Sequence, residues 1–345
     1  MAYDMPLVAV PASFTAPEAG GGAAAKSMPI ERLTGVLCAG NISFDILIRP
    51  VDRLEWGTST WVEDYVEDMG GNGSNTSFTL AMLGVPVRLH GMVGRDSYGE
   101  RLLERLRAGG VDLSAVTRSR APTTATICVV NSAGNRLFLQ RLGSSAEAFA
   151  EPAEFNSRLV GDHSHYHLAN LFALPHMKPR AAEVLRRARE AGLSTSIDTG
   201  WDQEGRWIET LRPCLPLCDL LFVNEEEARK LTGKNEPGQI ADSLRQHGAH
   251  DVVVKLGAAG CAVFWGGEDF HAPAFGIEVV DTTGAGDCFA GAFLAALHRG
   301  GSCRQAARLA NAVGALVVEQ LGAVRGVRSY EQVMAWISSR GSVET

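Results

Sequence analysis

Short apolar runs recur along the chain, each bounded by polar or glycine-rich residues, and segments with helical spacing of apolar residues lie between them. Val36, Leu37, Cys38 and Ala39 make the first continuous run, which stops at Gly40-Asn41 and predicts a buried strand. Residues 87–89, 166–169, 194–197, 220–223 and 252–254 predict further short strands. Helices are expected over 74–83, over 97–108 with an apolar side at Leu102, Leu103 and Leu106, and over 180–191, 225–231 and 239–246. This βαβα rhythm predicts an α/β fold with a mostly parallel sheet covered on both faces. Ligands of such sheets lie outside the carboxyl ends of the strands. Nearly every polar cluster of this chain falls at such an end.

Two stretches break the rhythm. Ile46 and Ile48 follow Asp45, and a β-like piece runs over 58–65; residues 124–130 and 136–140 read as a hairpin with Gly134-Asn135 in its turn. They predict a small sheet projecting from the main body, with strands drawn from about 46–68 and 124–140. Residues 1–33, with GGGAAAK at 20–26, carry too much Ala, Gly and Pro for a core and read as a flexible arm. The fold proper is expected over 34–340.

Composition narrows the function classes. A formal charge of −7 with no dense Lys/Arg run argues against a nucleic-acid partner, and no apolar stretch reaches membrane-spanning length. The N-terminal MAYDMPLVAV has an acid at position 4 and no basic region, so a secretory signal is not expected. Seven dispersed cysteines fit reduced thiols in a cytoplasmic enzyme, and Cys214 and Cys218 have no second pair for a zinc site. His163, His165 and His167 alternate like metal ligands, but no nearby Cys or Glu completes a tetrahedral set, which favours a structural role.

The most informative segment is DTTGAGDCF, residues 281–289. Gly284, Ala285 and Gly286 let the backbone approach a ligand closely, and Phe289 to Leu297 continue as a helix. Amides converging at a helix N-terminus suit a phosphate oxygen or the charge that develops in phosphoryl transfer. Asp287 stands at the edge of that site, placed to accept a proton from a hydroxyl. A second glycine-rich stretch, GGNGSN at 70–75, leads into a helix. Asp45, Gly71, Asn72 and Asn75 supply the donors, acceptors and backbone freedom that a polyhydroxylated ligand needs. Capping alone would also explain Asn72 and Asn75. Asn224 and Glu227 form a capping box that stands beside the crevice. Lys255, Gly257 and Gly260 follow a strand, Asp198 ends another, and Asn311 is expected to begin a helix over 312–318. No GxxxxGK[ST] loop is present, so phosphates must be held by the 284–287 turn.

The pair DTTGAGDCFAGAF and GGNGSN resembles the two signatures of the PfkB, or ribokinase-like, carbohydrate kinases, and the resemblance covers roughly residues 34–340. It implies a three-layer α/β/α domain with a β-sheet lid, and transfer of the ATP γ-phosphoryl group to a hydroxyl of a sugar, nucleoside or similar small molecule. Asp45 and Asn75 match acceptor-binding positions, and Asp287, with the 284–286 amides, matches the catalytic turn. Asn224 and Glu227 match an N-x-x-E element that orients hydrated Mg²⁺. Gly257 and Gly260 match a nucleotide-binding turn, and Asn311 a position beside the adenine. Asp281 and Thr283, with backbone carbonyls around Gly322 and Ala323, are similar to the monovalent-cation loop of many relatives, which makes K⁺ a candidate cofactor. Asp198-Thr199-Gly200 departs from the Asp-Pro-Asn of many relatives. The lid strands are a candidate homodimer interface, although some relatives are monomeric.

GGNGSN looks more like the sugar-kinase side of the family, and no base-stacking element beyond Phe44 is evident. A sugar or sugar derivative is therefore expected. A nucleoside kinase of the same fold is the first alternative and a non-catalytic sugar- or nucleotide-binding regulator the second. A phosphorylated acceptor is disfavoured, since no basic cluster lies near Asn75, though Arg95, Arg136 or Arg141 could fold into place. A dinucleotide-dependent oxidoreductase is weaker, because no GxGxxG follows the first strand.

Overall fold

The computed structural model describes residues 34–133 and 135–340; the arm expected at 1–33 and Gly134 of the hairpin turn lie outside the described residues. The strands are β1 (Val36–Gly40), β2 (Ser43–Arg49), β3 (Asp64–Gly70), β4 (Val87–Val93), β5 (Val116–Arg118), β6 (Thr124–Val130) and β7 (Arg136–Arg141). They continue with β8 (His165–Ala169), β9 (Ser194–Asp198), β10 (Leu220–Asn224), β11 (Asp251–Lys255), β12 (Cys261–Trp265) and β13 (Glu268–Ala272). The main sheet has the order β13-β12-β11-β10-β9-β8-β1-β4-β5. It is parallel from β5 to β11, and β12 and β13 add an antiparallel edge.

Alternate residues of the central strands feed two separate cores. Val36, Cys38, Leu220, Phe222 and Val253 pack with α1 (Asn72–Met82), α2 (Ser97–Ala108), and the C-terminal helices. Leu37, Ala39, Leu221, Val223 and Val252 pack on the other face, against helices that include Ala181–Glu190 and Pro237–Gln246. Burial on both faces explains why these strands read as continuous apolar runs rather than as alternations. The result is the expected three-layer α/β/α arrangement.

The second sheet has the order β3-β2-β6-β7 and forms the lid. Its β2 and β6 run parallel, while β2–β3 and β6–β7 are antiparallel. One expectation is corrected here. The strand is Asp64–Gly70, not 58–65. Pairing with β2 runs from Arg49–Asp64 to Ser43–Gly70, so the ladder ends at the glycine pair, and residues 58–63 are left outside it with Trp61 fully exposed. Of the β-like stretch 58–65 only Asp64 and Tyr65 find a partner residue on β2, and propensity yields to pairing.

The candidate residues lie on α1, on three helices of the C-terminal half, on β2, β10 and β11, and in the turns beside them. We number the helices between α2 and the C-terminus α3 (Ser157–Val160), α4 (Ala181–Glu190), α5 (Ile208–Leu211), α6 (Glu225–Thr232), α7 (Pro237–Gln246), α8 (Ala285–His298), α9 (Cys303–Val318) and α10 (Tyr330–Ser339). Asn311 sits inside α9 and does not begin it. The helix starts more than two turns earlier, where Ser302 and Gln305 form a capping box. Similarly, α1 starts at Asn72, with Gly71 as N-cap, so Asn75 belongs to the first turn.

Candidate active site

The site begins with the turn that feeds α8. Gly284 has φ of 72°, and a Cβ there would lie 2.6 Å from the Ala323 carbonyl oxygen. Only glycine fits both the left-handed backbone and that close approach. The first N–H groups of α8 carry the positive end of the helix dipole; that of Ala285 donates to the Thr282 carbonyl at 3.3 Å, while those of Gly286 and Asp287 lack intrahelical carbonyl partners. Asp281, buried at the base of the turn, accepts from the Thr283 N–H (3.0 Å) and hydroxyl (2.7 Å) through Oδ1, and from the Gly322 N–H (2.9 Å) through Oδ2. The Arg136 guanidinium, from the lid, also reaches Asp281 Oδ1 at 2.8 Å and Thr283 Oγ1 at 3.3 Å.

Packing of α1 against α8 joins the two glycine-rich signatures at Asp287. Asn72 Nδ2 donates to Asp287 Oδ1 (2.6 Å), and Asn75 Nδ2 donates to Oδ2 (2.9 Å). Asn75 Oδ1 is buried and has no hydrogen-bond partner. Burial pushes the Asp287 carboxyl up to about 6, and the neighbouring Asp198 charge adds to the rise; the two amide bonds and Lys255 pull the other way. Asp287 is thus a buried carboxyl whose pKa lies close to the working range of a general base.

On one side of Asp287 opens a cavity of about 400 Å³. Asn224, Lys255, Gly257, Gly260 and Asn311 all line it, together with Ala285 and Gly286 of the α8 turn. Lys255 Nζ donates to both oxygens of Asp198, at 2.7 and 3.0 Å. Burial lowers the Lys255 pKa, but Asp198 and Glu227 more than offset this, leaving it raised. Glu227 is also buried: its Oε2 accepts from the Thr199 hydroxyl (2.9 Å) and the Asn224 N–H (3.1 Å), and desolvation raises its pKa. Asn311 donates to the Ala272 and Pro273 carbonyls and so fixes the segment that walls the cavity. That wall, with Phe275, Ile277 and Val279, alternates as a strand would but forms none, and sequence reading passed over it.

On the other side, Asn72 lines a second cavity of about 300 Å³, bounded by the lid residues Thr124, Thr126 and Gln140. Asn72 Oδ1 accepts from Asn170 Nδ2 at 2.7 Å, which orients the Asn72 amide toward Asp287. Asp45 lies on β2 of the lid, accepts from Ser43 Oγ (2.7 Å), and occupies the space over Gly70, where a Cβ would come within 1.8 Å of its Oδ2. Burial raises its pKa to about 6, with Asp68 and Asp287 contributing to the rise. Asp45, Gly71 and Asn75 are not part of the cavity wall. Phe172, Trp201 and Lys178 are, and sequence reading missed all three; Arg141, which it did name, is there as well.

Two of the alternating histidines are held by serines, whereas His163 Nδ1 bonds the Val160 carbonyl oxygen. His165 bonds Ser194 and Ser196, His167 bonds Ser196, and burial lowers the pKa of both to about 3. Among the described residues no helix is long and apolar enough to cross a membrane.

Comparison with known proteins bears on the family and the fold. A search of family models matches residues 34–329 to the pfkB family carbohydrate kinase. An ATP-dependent ribose-1-phosphate kinase of Halopiger xanaduensis is 32% identical over 88% of this chain and 98% of its own. A 2-dehydro-3-deoxygluconokinase of Bacillus subtilis is 28% identical over 84% of this chain and 92% of its own. Among solved structures, a putative ribokinase II from E. coli in complex with ATP and Mg²⁺ superposes with a TM-score of 0.79 at 25% identity, covering 88% of this chain and 99% of that one. With its lid, its joined signatures and this match over most of its length, the chain belongs to the pfkB family of carbohydrate kinases.

Proposed function

We propose that this kinase moves the γ-phosphoryl group of ATP to a hydroxyl of a small sugar or sugar derivative, with Asp287 as general base. The observation that carries the reading is the position of Asp287: it lines neither cavity, but it follows Gly286, which lines the larger, and is hydrogen-bonded by Asn72, which lines the smaller. ATP would occupy the larger cavity, its phosphates directed at the α8 amides and its adenine between the 275–279 wall and Asn311. The acceptor would occupy the smaller cavity under the lid, with its hydroxyl at Asp287. Asp287 takes the proton as the acceptor oxygen attacks phosphorus, and the amides of Ala285, Gly286 and Asp287 receive the developing charge. Positioning and electrostatics supply most of the rate in such chemistry. Lid closure excludes water, which would otherwise compete as acceptor.

Mg²⁺ fits this site as an ion held chiefly by phosphates and water. No group of three or more metal-ligating side chains is present among the described residues; Asn224 lines the cavity, and Glu227, buried and bonded to it, keeps Oε1 free of the bonds that hold Oε2, so it would act through water. The ion would neutralise phosphate charge there. The lid strands are the surface we assign to a homodimer: Tyr65, Leu137 and Leu139 are about half exposed or more on this small sheet. Light scattering should then give twice the 36.8 kDa chain mass, and a monomer would refute the assignment. We place the enzyme in the cytoplasm.

A nucleoside acceptor is the second reading, and Phe172 and Trp201 in the acceptor cavity favour it. Arg141 and Lys178 make acidic sugars worth including. The test is ATP-dependent ADP release over hexoses, pentoses, sugar acids, sugar phosphates and nucleosides. At least one unphosphorylated sugar or sugar derivative should exceed every nucleoside in kcat/KM. A nucleoside leading by tenfold, about 1.4 kcal/mol of transition-state discrimination, would refute the sugar assignment and leave the kinase intact.

A further inference from the structure

A monovalent cation at Asp281 and Thr283 is expected from the resemblance of this turn to that of many relatives, and the residues present do not fit one. The Asp281 carboxylate is 2% exposed, and each of its oxygens is already engaged. Its Oδ1 receives the Arg136 guanidinium at 2.8 Å in addition to two donors from Thr283. The same guanidinium reaches Thr283 Oγ1 at 3.3 Å. A K⁺ ion coordinated by these oxygens would stand beside a fixed positive charge in a water-poor turn, where like charges repel strongly. The chain already supplies the cation.

Arg136 comes from a distant part of the fold. It opens β7 at the tip of the β6–β7 hairpin, paired with Val130, whereas Asp281 and Thr283 lead into α8 through Gly284. The pair therefore does two things at once. It neutralises the one buried carboxylate at the base of the anion-binding turn, leaving the α8 amides to face a phosphate without an opposing charge behind them. It also ties the lid to that turn, so that lid position and turn geometry are set together. Arginine suits this better than lysine, because its planar fork reaches a carboxylate and a hydroxyl together.

We propose that Arg136 takes the electrostatic place of a monovalent cation at this turn and positions it from the lid, which makes the enzyme indifferent to K⁺. The proposal rests on the phosphoryl-transfer reading of the 281–287 turn, so one readout is chosen that needs no acceptor. Thermal unfolding and binding of ATP with Mg²⁺ are measured for the wild type, Arg136→Met and Arg136→Lys in KCl and in choline chloride at equal ionic strength. With the best acceptor of the panel, kcat is measured under the same salts. Wild type should change less than twofold between salts in all three measurements. Arg136→Met should bind nucleotide at least tenfold more weakly in choline, and K⁺ should recover at least a third of that loss and raise the melting temperature of this variant alone. Arg136→Lys should lie between the two and confirm that the loss follows charge rather than folding. Activation of the wild type by K⁺ of tenfold or more would overturn the proposal, as would an Arg136→Met variant whose nucleotide affinity is unchanged or is lost without any recovery by K⁺.

Discussion

Replacing Asp287 by Asn separates what the carboxylate does for chemistry from what it costs the fold. In the folded protein burial holds its pKa at about 6, against a reference value of 3.8. A carboxyl whose folded pKa is raised contributes full stability below its unfolded pKa and loses it as pH rises through the folded value. At pH 8 that rise corresponds to about 3 kcal/mol of destabilisation, and at pH 5 to roughly half as much. Asn carries no charge and escapes this cost at either pH. Its amide would face Asn72 Nδ2 with its oxygen and Asn75 with its N–H. Asn75 Oδ1 is buried without a partner, so that amide can turn over and accept the new N–H. Without that turn, two donors would face each other, at a cost of about 1–3 kcal/mol. Asp287→Asn should therefore be more stable than wild type by about 1–3 kcal/mol at pH 8, and the gain should roughly halve at pH 5. Urea unfolding at the two pH values measures it. The same variant should lose about 10²–10⁴-fold in kcat, with ATP affinity nearly unchanged. A variant that turns over near the wild-type rate would refute the base assignment. A stability gain that is absent, or equal at both pH values, would refute the buried-charge reasoning.

The pH profile follows from the same group. Activity of the wild type should fall with an apparent pKa of about 6 or higher, since the raised carboxyl must be ionised to act and nearby phosphate charge raises it further; a limb near 4 would contradict this. Asp45, also raised to about 6, should steepen that limb, and Asp45→Asn should make it shallower while raising the acceptor KM. Gly284→Ala should abolish turnover by at least tenfold with the fold retained, because its methyl group meets the Ala323 carbonyl and its φ of 72° is strained; circular dichroism and kcat measured together would expose a variant that is merely unfolded.

The parts of the fold that were legible in the sequence are those where one local demand fixes the residue type. Continuous apolar runs gave the central strands because both their faces are buried. Gly284 was legible because only glycine meets the left-handed backbone there, and Asn224 with Glu227 because a capping box has a fixed spacing. Where the outcome depends on distant pairing, local reading went astray. The strand expected over 58–65 moved to Asp64–Gly70 because β2 sets the register, and the helix expected to begin at Asn311 begins at Cys303 because Ser302 and Gln305 cap it. The contacts of Asn72 and Asn75 with Asp287 were out of reach for the same reason: they span more than two hundred residues and exist only because α1 packs on α8.

That division follows the chemistry of the site. The phosphate end makes the same demands whatever the acceptor: amides at a helix start, a glycine that lets the turn close, and a carboxyl beside them. These demands are backbone demands, and they leave short signatures. The acceptor end is built otherwise. Thr124, Thr126, Gln140 and Arg141 come from lid strands, and Phe172, Lys178 and Trp201 from the loops after β8 and β9. No dihedral requirement selects these side chains, so a strand or loop with the same backbone accepts many others. The relatives differ in the acceptor that each is named for: one is a ribose-1-phosphate kinase and another a 2-dehydro-3-deoxygluconokinase. If the acceptor occupies the smaller cavity as proposed, exchanging Phe172, Trp201 or Arg141 should move specificity among acceptors without touching the machinery around Asp287.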